Sequence, residues 1–256
     1  MECKRRAAEL FEAKLFQQPP TNEECPICML PMPLHPYDYQ YQSCCGKIVC
    51  QGCMYHVQTT KGELLCPFCR IRDPTSDKED TDRLMKRIEV YNDAEANFVL
   101  GTLYHQGTSC LPRDDAKAME FTFKAAKLGS NNAYNNIGSS YMHGIGGLER
   151  NLNKAKHYYE LGSIGGDVTA RHALGLVEMM LGNNDRAMKH WIIAANSGSN
   201  ESLENVKRGY TQGHLTKDEF ATCLRSHKAS QDEMKSKQRD TVTKMRVPME
   251  EFGSYP

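Results

Sequence analysis

The sequence predicts a chain of two unlike parts: a small module held by metal–thiolate bonds, then an all-α solenoid of helix pairs. Two observations predict it. Eight of the eleven cysteines fall between residues 25 and 69, in paired spacing. From residue 94 onward a set of alanine, leucine and glycine positions recurs, at first every 37 residues.

Composition narrows the function classes. A length of 256 residues suffices for a small domain plus a larger one. The 32 basic residues balance 32 acidic ones, which leaves no electrostatic footprint for nucleic acid or an anionic membrane. No run of 18 apolar residues occurs, so no membrane-spanning helix is expected. Met1-Glu2-Cys3-Lys4-Arg5-Arg6 has no apolar stretch behind it, and Glu9 and Glu12 do not suit a transit peptide. The expectation is an intracellular, soluble protein of cytoplasm or nucleus, where clustered cysteines favour metal over disulfides.

Residues 1–24 read as an amphipathic helix and a linker. Leu10, Phe11, Leu15 and Phe16 give the apolar stripe, and Pro19-Pro20 ends the helix.

Residues 25–72 hold the cysteines. Their spacing is Cys25-x2-Cys28, Cys44-Cys45, Cys50-x2-Cys53 and Cys66-x2-Cys69. A Cys-x2-Cys knuckle presents two thiolates to one ion, and zinc takes four soft ligands tetrahedrally. Eight ligands suit two closed zinc sites, which supply folding energy to a segment too small to hold itself together. One of Cys44 and Cys45 with His35 or His56 is the alternative ligand set. Disulfide pairing is the bland reading of the whole cluster.

Cys25-Pro26-Ile27-Cys28, Cys45-Gly46-Lys47-Ile48-Val49-Cys50-Gln51-Gly52-Cys53 and Cys66-Pro67-Phe68-Cys69-Arg70 resemble a RING zinc finger, most closely its all-cysteine variety. Lys47 stands where many RINGs carry a histidine, and a protonated lysine cannot ligate zinc. The resemblance implies a treble-clef-like, cross-braced fold binding two zinc ions. Cys25, Cys28, Cys50 and Cys53 would hold one ion, and Cys44, Cys45, Cys66 and Cys69 the other. It further implies a docking face for a ubiquitin-conjugating enzyme at Ile27, Val57, Pro67 and Phe68, and a ubiquitin-orienting cation at Arg70.

Residues 73–93 form a linker, opened by Asp73-Pro74-Thr75-Ser76-Asp77 and helical near Arg83–Glu89. Residues 94–230 then repeat. Ala96, Leu100 and Gly101 recur as Ala133, Ile137 and Gly138, and again as Ala170, Leu174 and Gly175. Ala118 and Gly129 recur as Ala155 and Gly166, and a shorter step of 32 residues leads to Ala187 and Gly198. A fourth, degenerate copy starts near Asn200, with Thr216-Lys217-Asp218-Glu219 as a capping box. A period in this range means stacked helix pairs, each too short to stand alone. Ala116-Lys117-Ala118, Ala125-Ala126-Lys127-Leu128-Gly129 and Ala194-Ala195-Asn196-Ser197-Gly198 resemble the Sel-1-like repeat, a relative of the tetratricopeptide repeat. Leu181 departs from it by taking a turn-glycine slot. The resemblance implies a protein-binding scaffold and names no partner.

The polar residues 231–256 read as a disordered tail. Gly144-Ile145-Gly146-Gly147 reads as a repeat turn, and the carboxylate pairs Glu23-Glu24 and Asp114-Asp115 as helix starts. Together the two resemblances imply a RING-type ubiquitin ligase whose repeats recruit a substrate or adaptor. A non-catalytic zinc scaffold is the alternative. Many RINGs dimerise, so a homodimer stays open.

Overall fold

The computed structural model describes residues 2–19, 23–62 and 64–250. Pro20 and residues 251–256 lie outside these, as does the side chain of Cys3. The chain opens with α1 (Glu2–Leu15). A short antiparallel pair, β1 (Tyr39–Gln42) and β2 (Lys47–Cys50), runs straight into α2 (Gln51–Lys61). Next comes α3 (Asp77–Tyr91). Four helix pairs follow: α4 (Ala94–Gln106) with α5 (Asp115–Lys127), and α6 (Asn131–His143) with α7 (Leu152–Ile164). They continue as α8 (Val168–Met180) with α9 (Asn184–Asn196), and α10 (Asn200–Thr211) with α11 (Lys217–Glu233). The last described element is α12 (Lys237–Glu250). Among the described residues no helix is long and apolar enough to cross a membrane.

The repeat is written in caps as well as in core positions. Asp93, Ser130, Asp167 and Ser199 cap the first helix of each pair, each accepting the backbone N–H three residues on. Asp114, Asn151 and Thr216 do the same for second helices, and Thr216 with Glu219 completes the capping box. Each such bond is worth about 1 kcal/mol. Between the helices, Leu100, Ile137 and Leu174 are fully buried at one register. Gly138 sets the approach distance in the second pair: a Cβ there would stand 2.7 Å from the Tyr159 ring. The 37-residue alanine and glycine pattern is therefore a pattern of close helix contacts.

The cysteine-rich module is bonded to the solenoid through α3. Tyr41 on β1 donates to Asp93 at 2.8 Å, and Arg87 on α3 donates to both Tyr41 and Asp93 at 2.8 Å. Ser43 donates to Asp80 at 2.5 Å. The linker helix is longer than its sequence suggests. Ser76 caps its start and Asn92, with φ of 50°, closes its end.

Three expectations need correction. The tail is not disordered from residue 231: α11 runs on to Glu233 and α12 packs against α2. Contact is close because Gly52 lacks a side chain, and a Cβ there would lie 2.8 Å from the Arg239 backbone nitrogen. The N-terminal stripe is only half used. Leu15 is buried against α7 and α8, with Phe16 packed beside it, whereas Leu10 is 64% and Phe11 37% exposed. Glu24 starts no helix; it bridges to Pro31 across the first knuckle.

Candidate metal centre

The two outer knuckles share one backbone design. In the first, Met29 N–H donates to the Cys25 carbonyl and Cys25 N–H to Leu30, both at 2.9 Å. In the second, Arg70 N–H donates to Cys66 and Cys66 N–H to Ile71, again at 2.9 Å. Met29 and Arg70 take matching left-handed conformations, φ 56° and 61°. Each knuckle is closed by an isolated bridge, Glu24 to Pro31 and Leu65 to Arg72. This turn aims both of a knuckle's sulfurs to one side.

The third knuckle, Cys50 and Cys53, sits at the junction of β2 and α2. Cys44 and Cys45 occupy the turn between the strands, where Cys45 and Gly46 N–H groups both donate to Gln42. In an extended strand neighbouring side chains point to opposite faces. The turn removes that alternation and lets adjacent cysteines share a site.

The sulfurs meet in two interleaved quartets. Cys25, Cys28, Cys50 and Cys53 lie within 4.8 Å of one another, and so do Cys44, Cys45, Cys66 and Cys69. Individual separations are 4.0 Å for Cys25–Cys53, 3.8 Å for Cys28–Cys50, 3.8 Å for Cys45–Cys66 and 3.3 Å for Cys44–Cys69. Four sulfurs about 2.3 Å from a tetrahedral zinc would stand about 3.8 Å apart. A disulfide needs about 2.05 Å, and all eight thiols are free. The donor set and spacing therefore fit a tetrahedral thiophilic ion. His35 packs near the Tyr37 ring and His56 is exposed on α2; neither enters a quartet.

Crowding sets the thiols against one another. Cys25 is drawn far below the ordinary thiol range by hydrogen bonds from Cys50 and Cys53, and Cys53 is pushed up by the same contacts. Burial raises Cys44, and raises Cys45 to about 11 against the opposing N–H of Lys47. Four crowded thiols do not all ionise by themselves. A bound divalent cation would reverse that balance, because a coordinating thiol is deprotonated outright.

The other singled-out residues fall at the edge of the module. Ile27 is 39% and Phe68 45% exposed, Val57 and Pro67 are half-buried, and Arg70 is exposed. The Lys47 ammonium rests 5.6 Å from the Phe68 ring centroid. The start of α12 meets α2 at Gly52, while Ile27, Phe68 and Arg70 stay exposed. Sequence reasoning missed Arg239 of α12, which reaches Cys28; a lone arginine in a polar stretch carries no signal of burial.

Comparison with known proteins bears on the helical part. The Sel1 repeat family matches residues 94–130, 131–167 and 171–199. The chain therefore carries Sel1 repeats in an all-helical solenoid. A Sel1 repeat protein from Oxalobacter formigenes superposes with a TM-score of 0.52 at 22% identity, over 59% of this chain and 64% of that one. A protective antigen of uropathogenic Escherichia coli displaying an SLR fold gives 0.52 and 22%, over 60% of this chain and 34% of that one. The chain thus spans less than two thirds of either, and likeness at this identity shows the fold alone. No curated protein matches the sequence.

Proposed function

We propose that this protein is a RING-type ubiquitin ligase that binds two zinc ions and recruits its substrate or adaptor through the Sel1 repeats. The observation that carries the reading is the interleaving of the quartets, first knuckle with third and Cys44-Cys45 with the last. A cross-braced module would need that alternation, which supports the reading. Zinc, when bound, supplies folding energy to the module.

A closed four-sulfur site leaves no coordination position for chemistry, so the module's contribution is geometric. Ile27, Val57, Pro67 and Phe68 form the apolar face on which a ubiquitin-conjugating enzyme docks. Arg70, exposed just beyond the last ligand, holds the ubiquitin tail where a lysine can attack the thioester. Such positioning replaces lost entropy rather than supplying a nucleophile. The four helix pairs present the partner-binding surface, as the repeat architecture suits.

A ubiquitin transfer assay with a panel of conjugating enzymes tests this. Chains should form with the wild type and disappear in Ile27→Ala and Arg70→Ala. Silence across the panel, with two zinc ions bound, would favour the second reading, a zinc scaffold without activity. One observation supports that alternative: the module is bonded to α3 and the first repeat through Tyr41, Ser43, Arg87, Asp80 and Asp93, and α12 packs on α2.

A further inference from the structure

Arg239 is a buried cation with no carboxylate partner among the described residues. It is 8% exposed on α12. Nη1 donates to the carbonyls of Pro31 and Met234, both at 2.7 Å. Nη2 reaches the Leu30 carbonyl and the Cys28 sulfur, both at 3.4 Å. Nε is buried with no partner among the described residues, and the neighbouring Asp240 is exposed. Burying a guanidinium is costly unless an opposite charge compensates it; carbonyls satisfy its N–H groups but do not neutralise its charge. Four thiolates around one divalent ion carry two net negative charges, and Cys28 belongs to such a quartet.

We propose that Arg239 is the charge-balancing partner of the metal–thiolate centre at Cys25, Cys28, Cys50 and Cys53, so that metal loading there and docking of α12 reinforce each other. The proposal rests on reading the quartets as metal sites. Its partners in the cysteine module, Pro31 and Cys28, lie more than 200 residues away in sequence, so the contact ties α12 back to the first knuckle. It is also one-sided. No hydrogen bond from a cation reaches a sulfur of the second quartet among the described residues: Arg70 is exposed and Lys47 lies over the Phe68 ring. By linkage, whatever strengthens the metal strengthens the strap, and the reverse.

The test uses the full chain loaded with zinc and challenged with a chelator. Wild type should hold two zinc ions. Arg239→Gln should release one of them about 10- to 100-fold faster, the range for an outer partner of a ligand, and the other at the wild-type rate. Arg239→Lys should fall between. In cobalt-substituted protein, Arg239→Gln should move the thiolate-to-metal charge-transfer band to lower energy, which a purely packing role would leave in place. Amide exchange over 237–245 should quicken in Cys28→Ser and stay unchanged in Cys69→Ser. Two zinc ions with wild-type release and an unmoved band in both Arg239 variants would overturn the proposal. A wild-type chain that binds no zinc would overturn the metal reading beneath it.

Discussion

Phe16 lies flat on His190, their ring centroids 4.6 Å apart and their planes 16° from parallel. His190 is fully buried on α9, and neither ring nitrogen has a partner among the described residues. Burial first, and the Arg171 guanidinium second, hold its pKa down at about 3. An unfolded chain would protonate the same ring near pH 6.5. Because the folded pKa is the lower one, this contribution is complete above pH ~6.5 and drains away as pH falls toward ~3, by up to about 1.4 kcal/mol per pH unit. Thermal unfolding between pH ~7.5 and ~4.5 should show this slope. His190→Phe keeps the stack and brings no nitrogen, so its slope should be shallower. An unchanged slope would assign the acid sensitivity elsewhere.

Asp167 has the opposite sign. It caps α8, and burial raises its pKa to about 6, with the Ala170 N–H opposing. A carboxyl raised in the folded state stabilises fully below its unfolded value, and that contribution is lost as pH rises through about 6. Asn caps as well as Asp and carries no charge. Asp167→Asn should therefore gain about 1 to 2 kcal/mol near neutral pH, discounted for partial exposure. The gain should vanish below pH ~4. A loss of stability at pH 7 would mean the carboxylate itself is needed there.

The helical part was legible because its information is local and repeated. Ala133, Ile137 and Gly138 sit in the same slots as Ala96, Leu100 and Gly101, and small residues at close contacts leave a periodic trace. The cysteine knuckles were legible for the same reason, since the spacing is itself the turn; their division into two quartets is what the RING resemblance implied, not the spacing. What sequence did not disclose depends on single residues meeting across the chain. Arg239 looks like one more cation in a polar stretch, and nothing local marks it as buried beneath Pro31 and Cys28. The N-terminal stripe was overread, since a helical period shows which face is apolar and not how much of it is covered. Of the apolar stripe, Leu15 and Phe16 pack in the solenoid core.

Gly138 offers two effects of opposite sign. Alanine inside a helix is about 1 kcal/mol better than glycine. Against that, its Cβ would press on the buried Tyr159 ring at 2.7 Å, and overpacking a closed core costs about 1 to 3 kcal/mol. The ring is 2% exposed and has no room to retreat. Gly138→Ala should lower stability in denaturant titration, and a rise would mean the second pair can open without penalty.

Arg171 fastens α1. It is 1% exposed, donates to the Leu15 carbonyl at 2.6 Å and to the Ser163 carbonyl at 2.7 Å, and burial lowers its pKa to about 10. Arg186 adds a second hold, pairing with Glu12 and Glu178. Arg171→Ala would leave the Leu15 carbonyl without a donor among the described residues, at about 1 to 3 kcal/mol if water stays out, and would empty the space of a buried side chain; the Ser163 carbonyl keeps the Gly166 N–H. The expected outcome is a loss of about 2 to 4 kcal/mol and faster amide exchange over residues 5–15. Exchange at the wild-type rate would show that Leu15 and Phe16 hold the helix without it.

The final prediction separates the two parts of the chain. Cys66 is fully buried in the second quartet. On the zinc reading, Cys66→Ser removes one of four ligands, so elemental analysis should fall from two zinc ions to one. The solenoid should survive this. Its buried clusters are drawn from α1 and α4 to α11, and none contains a module cysteine. The polar junction at Arg87, Asp93 and Tyr41 is weaker than those cores, since a net hydrogen bond is worth about 1 kcal/mol and one to a charged group about 1.5 to 3. Far-ultraviolet circular dichroism should lose a signal no larger than α2 and α12 supply, with the main thermal transition in place. Collapse of the whole helical signal would mean that module and solenoid fold as one cooperative unit, with the four-sulfur centres inside its core energetics.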